Sequence, residues 1–257
     1  MVQYGFYFNQ ARCTGCQGCA NACKSWNQLS PGPEKWIKVC QWEKSAWPNV
    51  RLNMVPVFCY QCENPKCVDL CPAQAMYKEP KYGAVLIDST KCTGCKLCYD
   101  VCPWGAPAFA SDAPATKATM CTMCVDRLEQ SMLPACVIAC NMRALDFGTL
   151  ENLKKKYGAG TPLEDFPAGA DFKPALITKP HDAKRKVIPY DESKVITLWQ
   201  KRPYTKALGY PADDSLPDVF KDSADVTNPP ADIIGRGKKW AKPKNSAELM
   251  YYSTDNE

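Results

Sequence analysis

The chain has one histidine, His181, in 257 residues. It therefore lacks the side chain most often used as general base, proton shuttle or imidazole metal ligand. It also lacks any run of about 18 uninterrupted apolar residues, the minimum for a membrane-spanning helix, and its mean hydropathy is −0.36. The opening residues, Met1-Val2-Gln3-Tyr4-Gly5, contain no basic region, apolar core or small-residue cleavage site, so the expectation is a chain without an export signal of its own. No Gly-rich phosphate loop, nucleophile elbow or H-E-x-x-H motif occurs, nor a C-x3-C-x2-C triplet. Nothing here supports catalysis by this chain alone. Charge of either sign is nearly matched, with 32 Lys plus Arg against 27 Asp plus Glu and a formal net charge of +5. No basic patch interleaved with aromatics stands out, and nucleic acid is not an expected partner. With 46% hydrophobic and 23% charged residues, wholesale disorder is excluded and one or two domains with a real core are expected.

What the chain has in abundance is cysteine, 17 in all, and sixteen of them fall into four groups of four. Cys13, Cys16, Cys19 and Cys23 are spaced C-x2-C-x2-C-x3-C, and Cys92, Cys95, Cys98 and Cys102 repeat that spacing. Cys59, Cys62, Cys67 and Cys71 follow C-x2-C-x4-C-x3-C, and Cys121, Cys124, Cys136 and Cys140 follow C-x2-C-x11-C-x3-C. A disulfide framework needs an oxidising compartment and is usually found in much shorter chains. Structural zinc accounts for C-x2-C pairs but not for a compact triplet with a fourth cysteine behind it. Three thiolates on one tight loop do suit three irons of a cubane cluster, the fourth cysteine reaching a different cube, as in bacterial ferredoxins. A soft, all-thiolate ligand set points the same way. Four such clusters, at about −2 each, would take the folded protein from +5 to about −3, so its lysines would offset cluster charge rather than attract an acidic partner.

The crossover rule also groups the cysteines. Between the second and third groups lie Cys71-Pro72-Ala73-Gln74-Ala75, the apolar run Gly83-Ala84-Val85-Leu86-Ile87-Asp88, then Lys91-Cys92, which is the order of a two-cluster ferredoxin unit. On that reading Cys13, Cys16, Cys19 and Cys140 hold cluster A. Cys121, Cys124, Cys136 and Cys23 hold cluster B. Cys59, Cys62, Cys67 and Cys102 hold cluster C, and Cys92, Cys95, Cys98 and Cys71 hold cluster D. Pairing the first group with the second and the third with the fourth remains the alternative.

Cys13-Thr14-Gly15-Cys16 recurs as Cys92-Thr93-Gly94-Cys95, and each compact group is followed by an expanded one, which reads as an internal duplication. The expected fold is α+β: duplicated bacterial two-[4Fe-4S] ferredoxin modules with inserted loops and a long, largely irregular C-terminal extension. Residues 1–148 are expected to form the four-cluster domain, with an inner unit at 56–105 and an outer unit at 4–25 plus 117–148. Short β-prone runs, Tyr4 to Phe8 and Val85 to Ile87, precede clusters. Residues 25–58 are an insertion carrying Trp26, Trp36, Trp42 and Trp47. Residues 149–158 read as a short helix with Thr149 as N-cap, Leu150, Leu153 and Tyr157 on one face, and Gly158 as its stop. The rest of 149–257 is expected to run extended over a partner; wrapping its own core is the alternative.

These residues resemble the iron–sulfur (beta) electron-transfer subunits of the DMSO reductase family of molybdopterin oxidoreductases. The likeness rests on the four groups in this order and on three strings: Tyr4-Gly5-Phe6 before Arg12-Cys13-Thr14-Gly15-Cys16, then Cys102-Pro103-Trp104-Gly105-Ala106-Pro107, then Arg143-Ala144-Leu145-Asp146-Phe147-Gly148. It covers about residues 3–180; beyond roughly residue 190 no counterpart is seen, and the tail is assigned to a different branch. The family's nitrate-reductase type replaces a cysteine of the third group by tryptophan. Cys98 stands at that place here, so four [4Fe–4S] clusters are implied. The resemblance further implies a large molybdenum or tungsten bis-pterin catalytic subunit as partner. A quinone-reactive membrane anchor is common in the family though not universal. The location implied is cytoplasmic, or exported folded with a signal-bearing partner. The competing function is a free-standing polyferredoxin electron carrier, against which the subunit-specific strings and the long extension count.

The remaining features have plainer readings. Cys40 lies outside every group and reads as a buried or surface thiol, His181 as solvated, and Trp104 as packing around a cluster. Lys24, Lys91 and Lys96 flank ligands and are read either as tuning cluster charge or as ordinary surface lysines.

Overall fold

A computed structural model describes residues 2–44, 51–181 and 242–245. Its centre is the strand β1 (Tyr4–Asn9), hydrophobic on both faces as a strand flanked on either side must be. β6 (Leu145–Thr149) pairs with it antiparallel and β7 (Leu176–Lys179) parallel. In this sheet Phe6 stands between Phe147 and Leu176, and Tyr7 between Asp146 and Ile177. The Phe6 row faces the main core, where Phe6 lies edge-on to Phe58 at 4.9 Å. The Tyr7 row faces α6 (Leu150–Tyr157).

The other elements are short because the cysteine loops leave little chain between them. α1 (Gly18–Trp26) carries Cys19 and Cys23. The hairpin β2 (Lys38–Lys44) and β3 (Arg51–Val57) occupies the insertion, in a register that sets Cys40 opposite Val55. α2 (Lys66–Asp69) carries Cys67, and β4 (Met76–Lys78) pairs antiparallel with β5 (Val85–Ile87) before α3 (Leu97–Val101) with Cys98. α4 (Val125–Leu128) follows Cys124, and α5 (Ala135–Ile138) carries Cys136. This is a mixed helix-and-strand, α+β fold. α1 packs on α5 and α2 on α3, so the first cysteine group meets the fourth and the second meets the third. The strands follow the same scheme: β5, before the third group, pairs with β4, after the second, and β1, before the first, pairs with β6, after the fourth.

α6 forms where the sequence places it. Thr149 accepts a hydrogen bond from the Asn152 N–H at 3.3 Å, and Gly158, at φ 81°, ends it in a conformation open to glycine. Beyond it residues 159–181 return to the core. β7 completes the central sheet, Phe166 stacks beside Trp42 at 6.4 Å, and Phe172 lies edge-on to Trp104 at 6.1 Å. Residues 150–181 thus pack on this chain's own core, because Ile177, Ala175 and Leu163 are apolar and complete faces left open by β1 and the hairpin. Residues 182–241 and 246–257 of the expected tail, and Trp47, lie outside the described residues. Residues 242–245 return to α3, where the Tyr99 hydroxyl donates to the Pro243 carbonyl.

Candidate iron–sulfur centres

Each compact loop is bent by left-handed residues at fixed places. In the first group these are Gly15 (φ 68°) and Gln17 (φ 58°); in the third, Gly94 (φ 74°) and Lys96 (φ 63°). The expanded groups match in the same way: Gln61 (φ 51°) corresponds to Met123 (φ 56°), and Gln74 (φ 48°), behind Cys71, to Arg143 (φ 51°), behind Cys140. A side chain at Gly15 would put its Cβ 2.6 Å from the Met54 Sδ, and one at Gly94 would strike the backbone of Ala115. Glycine is needed twice over in these turns, for its φ and for its lack of a Cβ. Pro65 and Pro134 precede α2 and α5 at equivalent positions, two residues before Cys67 and Cys136. Turning each loop inward aims amides at sulfur: Ala75 N donates to Cys71 Sγ (3.3 Å), Ala144 N to Cys140 (3.2 Å), Ala106 N to Cys102 (3.4 Å), Ala118 N to Cys92 (3.4 Å) and Met123 N to Cys121 (3.4 Å).

The loops gather the thiols in fours. One pocket of about 350 Å³ is lined by Cys13, Cys16, Cys19 and Cys140, a second of about 380 Å³ by Cys59, Cys62, Cys67 and Cys102, and a third of about 360 Å³ by Cys71, Cys92, Cys95 and Cys98. The fourth set meets deeper inside. Burial pushes the Cys136 thiol well up, and Cys121, Cys124 and Cys23 raise it further; Asn27 Nδ2 donates to the Cys23 sulfur at 3.6 Å. All seventeen cysteines are free thiols. Among the described residues no three His, Cys, Asp or Glu side chains converge on a point where one metal ion could sit. Four thiols standing around a pocket suit a multi-metal group.

Electrostatics fits the same group. Burial first, then the neighbouring cysteines, pushes Cys19, Cys62, Cys67 and Cys98 up to about 12, and Cys59 well above its ordinary value. Four such sulfurs cannot ionise together without a polycation between them, and thiolate bound to iron supplies that condition.

The sets also stand in a row. Cys19 bears on both Cys23 and Cys136, linking the Cys13 set to the Cys121 set. Cys121 bears on Cys59, and Cys67 on Cys98, linking the remaining two in turn. At the two ends Cys16 and Cys95 are exposed, whereas Cys23, Cys121, Cys124, Cys136, Cys59, Cys62 and Cys102 in the middle are buried.

Several residues around these sulfurs were not visible as functional in the sequence. Gln61, fully buried, donates from Nε2 to the Cys121 carbonyl (2.9 Å) and accepts from Val85 N (2.6 Å). Lys38, 4% exposed, donates from Nζ to Gly105 O at 3.0 Å; burial pulls it down to about 8, against the pull of Cys40 and Cys102. Lys78 Nζ reaches the carbonyls of Cys62 (2.9 Å) and Glu63 (3.0 Å). The only sequence cue was a lysine at an inward-facing strand position in Lys38. The lysines adjacent to ligands turn elsewhere: Lys24 to Gly32 O, Lys91 to Asp88, Lys96 to Asp112 O. Cys40 is buried in β2. Trp104 packs edge-on to Tyr60 at 5.0 Å and donates to Pro167 O at 2.9 Å. His181, read as solvated, is partly buried with its backbone N–H 3.4 Å from Gln10 Oε1.

Loops of this geometry, thiols in fours and amides aimed at sulfur define a ferredoxin-type iron–sulfur protein. A family model described as a 4Fe-4S dicluster domain matches residues 50–150. The chain is similar to one component of the anaerobic dimethyl sulfoxide reductase of Escherichia coli K12, 34% identical over 192 residues, 72% of this chain and 92% of the relative. It is 35% identical to the component of the same name from Haemophilus influenzae over 195 residues, with 72% and 93% covered. It is 30% identical to one subunit of the sulfite dehydrogenase of Allochromatium vinosum over 246 residues, with 85% and 99% covered. The chain belongs to the iron–sulfur subunits of the DMSO reductase family, and its function is electron transfer through [4Fe–4S] clusters as a subunit of such an oxidoreductase. The match to the Allochromatium protein takes in 85% of this chain, against 72% for the two dimethyl sulfoxide reductase components, and so runs past residue 190.

Proposed function

We propose that the chain is a four-cluster relay in the order A, B, C, D, passing electrons to or from a large molybdenum or tungsten bis-pterin catalytic subunit, with no active site of its own. The observation that carries this is the recruitment of every thiol set from two cysteine groups distant in sequence, three from one and the fourth from its partner group. The matched left-handed residues and the matched strand and helix pairings support descent from a duplicated two-cluster module. Bound clusters supply reversible one-electron chemistry. The chain's own work is to donate N–H groups to sulfur, keep water from the two middle sites, and present the two end sites at the surface. The exposed ends, at Cys16 and Cys95, are where partners would exchange electrons. The names of the relatives point to a dimethyl sulfoxide reductase and to a sulfite dehydrogenase, so one kind of relay serves either direction. Among the described residues no helix is long and apolar enough to cross a membrane; a quinone-reactive anchor would be a separate subunit. Assembly in the reducing cytoplasm, with export of the folded complex on a signal-bearing partner as the other course, suits its free thiols.

Anaerobic purification of the native complex tests the reading. The expected result is about sixteen irons and as many acid-labile sulfides per chain, with molybdenum or tungsten on a larger co-purifying subunit. The same iron with no partner and no heavy metal would overturn the relay to a pterin subunit, and zinc in place of iron would overturn the cluster assignment.

A further inference from the structure

Site C has three cations built around it. Lys38 reaches in from β2 and binds the Gly105 carbonyl, three residues past Cys102, with its Nζ 5.9 Å from the Tyr99 ring centroid. Lys78, from β4, binds the carbonyls of Cys62 and Glu63. Lys242, partly buried, lays its stem over Gly105 and donates to the carbonyls of Tyr99 (3.0 Å), Asp100 (3.1 Å) and Cys102 (3.4 Å). Three ammonium groups from three separate parts of the chain therefore end on backbone of the Cys62 and Cys102 loops. Lys35, also buried, lies within electrostatic reach of Lys38, and the acids nearby include Asp69, 4.0 Å from Lys66, Glu63 beside Lys78, and Asp100, whose backbone carbonyl Lys242 binds. At site B, the counterpart of site C, the cation is Arg127, whose Nε donates to Leu133 O at 2.7 Å, and Asp126 stands beside it in the same helix.

Resting on the four-cluster reading above, we propose that Lys38, seconded by Lys78 and Lys242, sets the potential of the cluster at Cys59, Cys62, Cys67 and Cys102, holding it above that of its counterpart at Cys121, Cys124, Cys136 and Cys23. Reduction adds one negative charge to a site shielded from water, and a fixed positive charge there favours the reduced form. The backbone carbonyls hold each ammonium in place, so the charge is not free to swing into solvent. Site C then retains an electron that site B passes on, and the relay is uneven along its length instead of graded.

The test is a redox titration followed by EPR on the anaerobically purified complex carrying Lys38→Met, Lys38→Arg or Lys242→Gln. Lys38→Met should lower one midpoint by at least the tenfold change in reduction equilibrium that equals 59 mV for one electron, leaving the other three in place. Lys38→Arg should restore it, and Lys242→Gln should move the same signal less far in the same direction. Adding Cys67→Ser, which strikes site C alone, should abolish or convert the signal that moved. Four unmoved midpoints with full iron, or a moved signal that survives Cys67→Ser, would overturn the proposal. If Lys38→Met loses iron, Lys242→Gln decides it, an unmoved signal counting against. Iron far short of about sixteen in the unmodified protein would instead overturn the four-cluster reading itself.

Discussion

Gln61 joins the two halves of the cysteine array through one side chain. It lies in the loop between Cys59 and Cys62, its amide closes on the carbonyl of Cys121, and its oxygen takes the N–H of Val85 at the start of β5. Its own carbonyl accepts from Gln3 Nε2 at 3.1 Å, next to β1. The matching residue in the other half is Met123, which has the same left-handed backbone. Gln61→Met should therefore fit the turn while leaving the Val85 N–H and the Cys121 carbonyl unpaired, at about 1–3 kcal/mol for each buried group. Thermal loss of the cluster absorbance should begin several degrees lower than in the unmodified protein; an unchanged midpoint would mean water replaces the amide. Residues of this kind were illegible beforehand. Covalent spacing decides which cysteines share a loop, so sets of thiols could be proposed from the sequence, and three pockets are each lined by one of the proposed sets. Gln61, Lys38 and Lys242 act across tens of residues or more, and a lysine next to a ligand in sequence, such as Lys24 or Lys96, points away from it.

At the scale of elements, α6 was legible because every signal for it is local: a capping threonine, apolar residues on one face and a terminal glycine. What holds it down is not local. Tyr157 stacks on Tyr7 at 3.6 Å, and Asp146 Oδ2 accepts from Tyr157 OH (2.6 Å) and Lys156 Nζ (2.8 Å). Burial raises the Asp146 carboxyl, but those two bonds and the Phe147 N–H outweigh it, so its value in the folded protein is depressed. A carboxylate depressed on folding contributes stability above its unfolded value of about 4 and loses it as pH falls through the lower, folded one. Asp146→Asn should cost about 1 kcal/mol at neutral pH, measured as a lower thermal midpoint, and the gap should hold down to about pH 4 and narrow only below it. A gap independent of pH would show that shape, not charge, secures the helix. β7 was not legible at all. Its four residues, Leu-Ile-Thr-Lys, have ordinary strand composition amid prolines, and only β1, some 170 residues earlier, defines its place by offering Tyr7 and Phe6 as neighbours.

At the scale of the whole molecule, the proposed pairing nests an inner two-site unit within an outer one. The inner sites draw on cysteines between 59 and 102, a short loop to close. The outer sites join residues near 13 to residues near 140, which costs more loop entropy and needs β1, β6 and β7 in register. This nesting makes the pairing of groups a property of the fold that iron can count. Cys13→Ala with Cys140→Ala strikes one site if the first group pairs with the fourth, but two if it pairs with the second. Cys13→Ala with Cys121→Ala strikes two either way. The first double variant should therefore lose about four irons and one EPR signal, and the second about eight irons and two signals. Equal losses from both would contradict the nested arrangement. An inner pair that stays loaded in either variant would show that the 59–102 unit assembles without its outer ring, as a contiguous two-cluster module should.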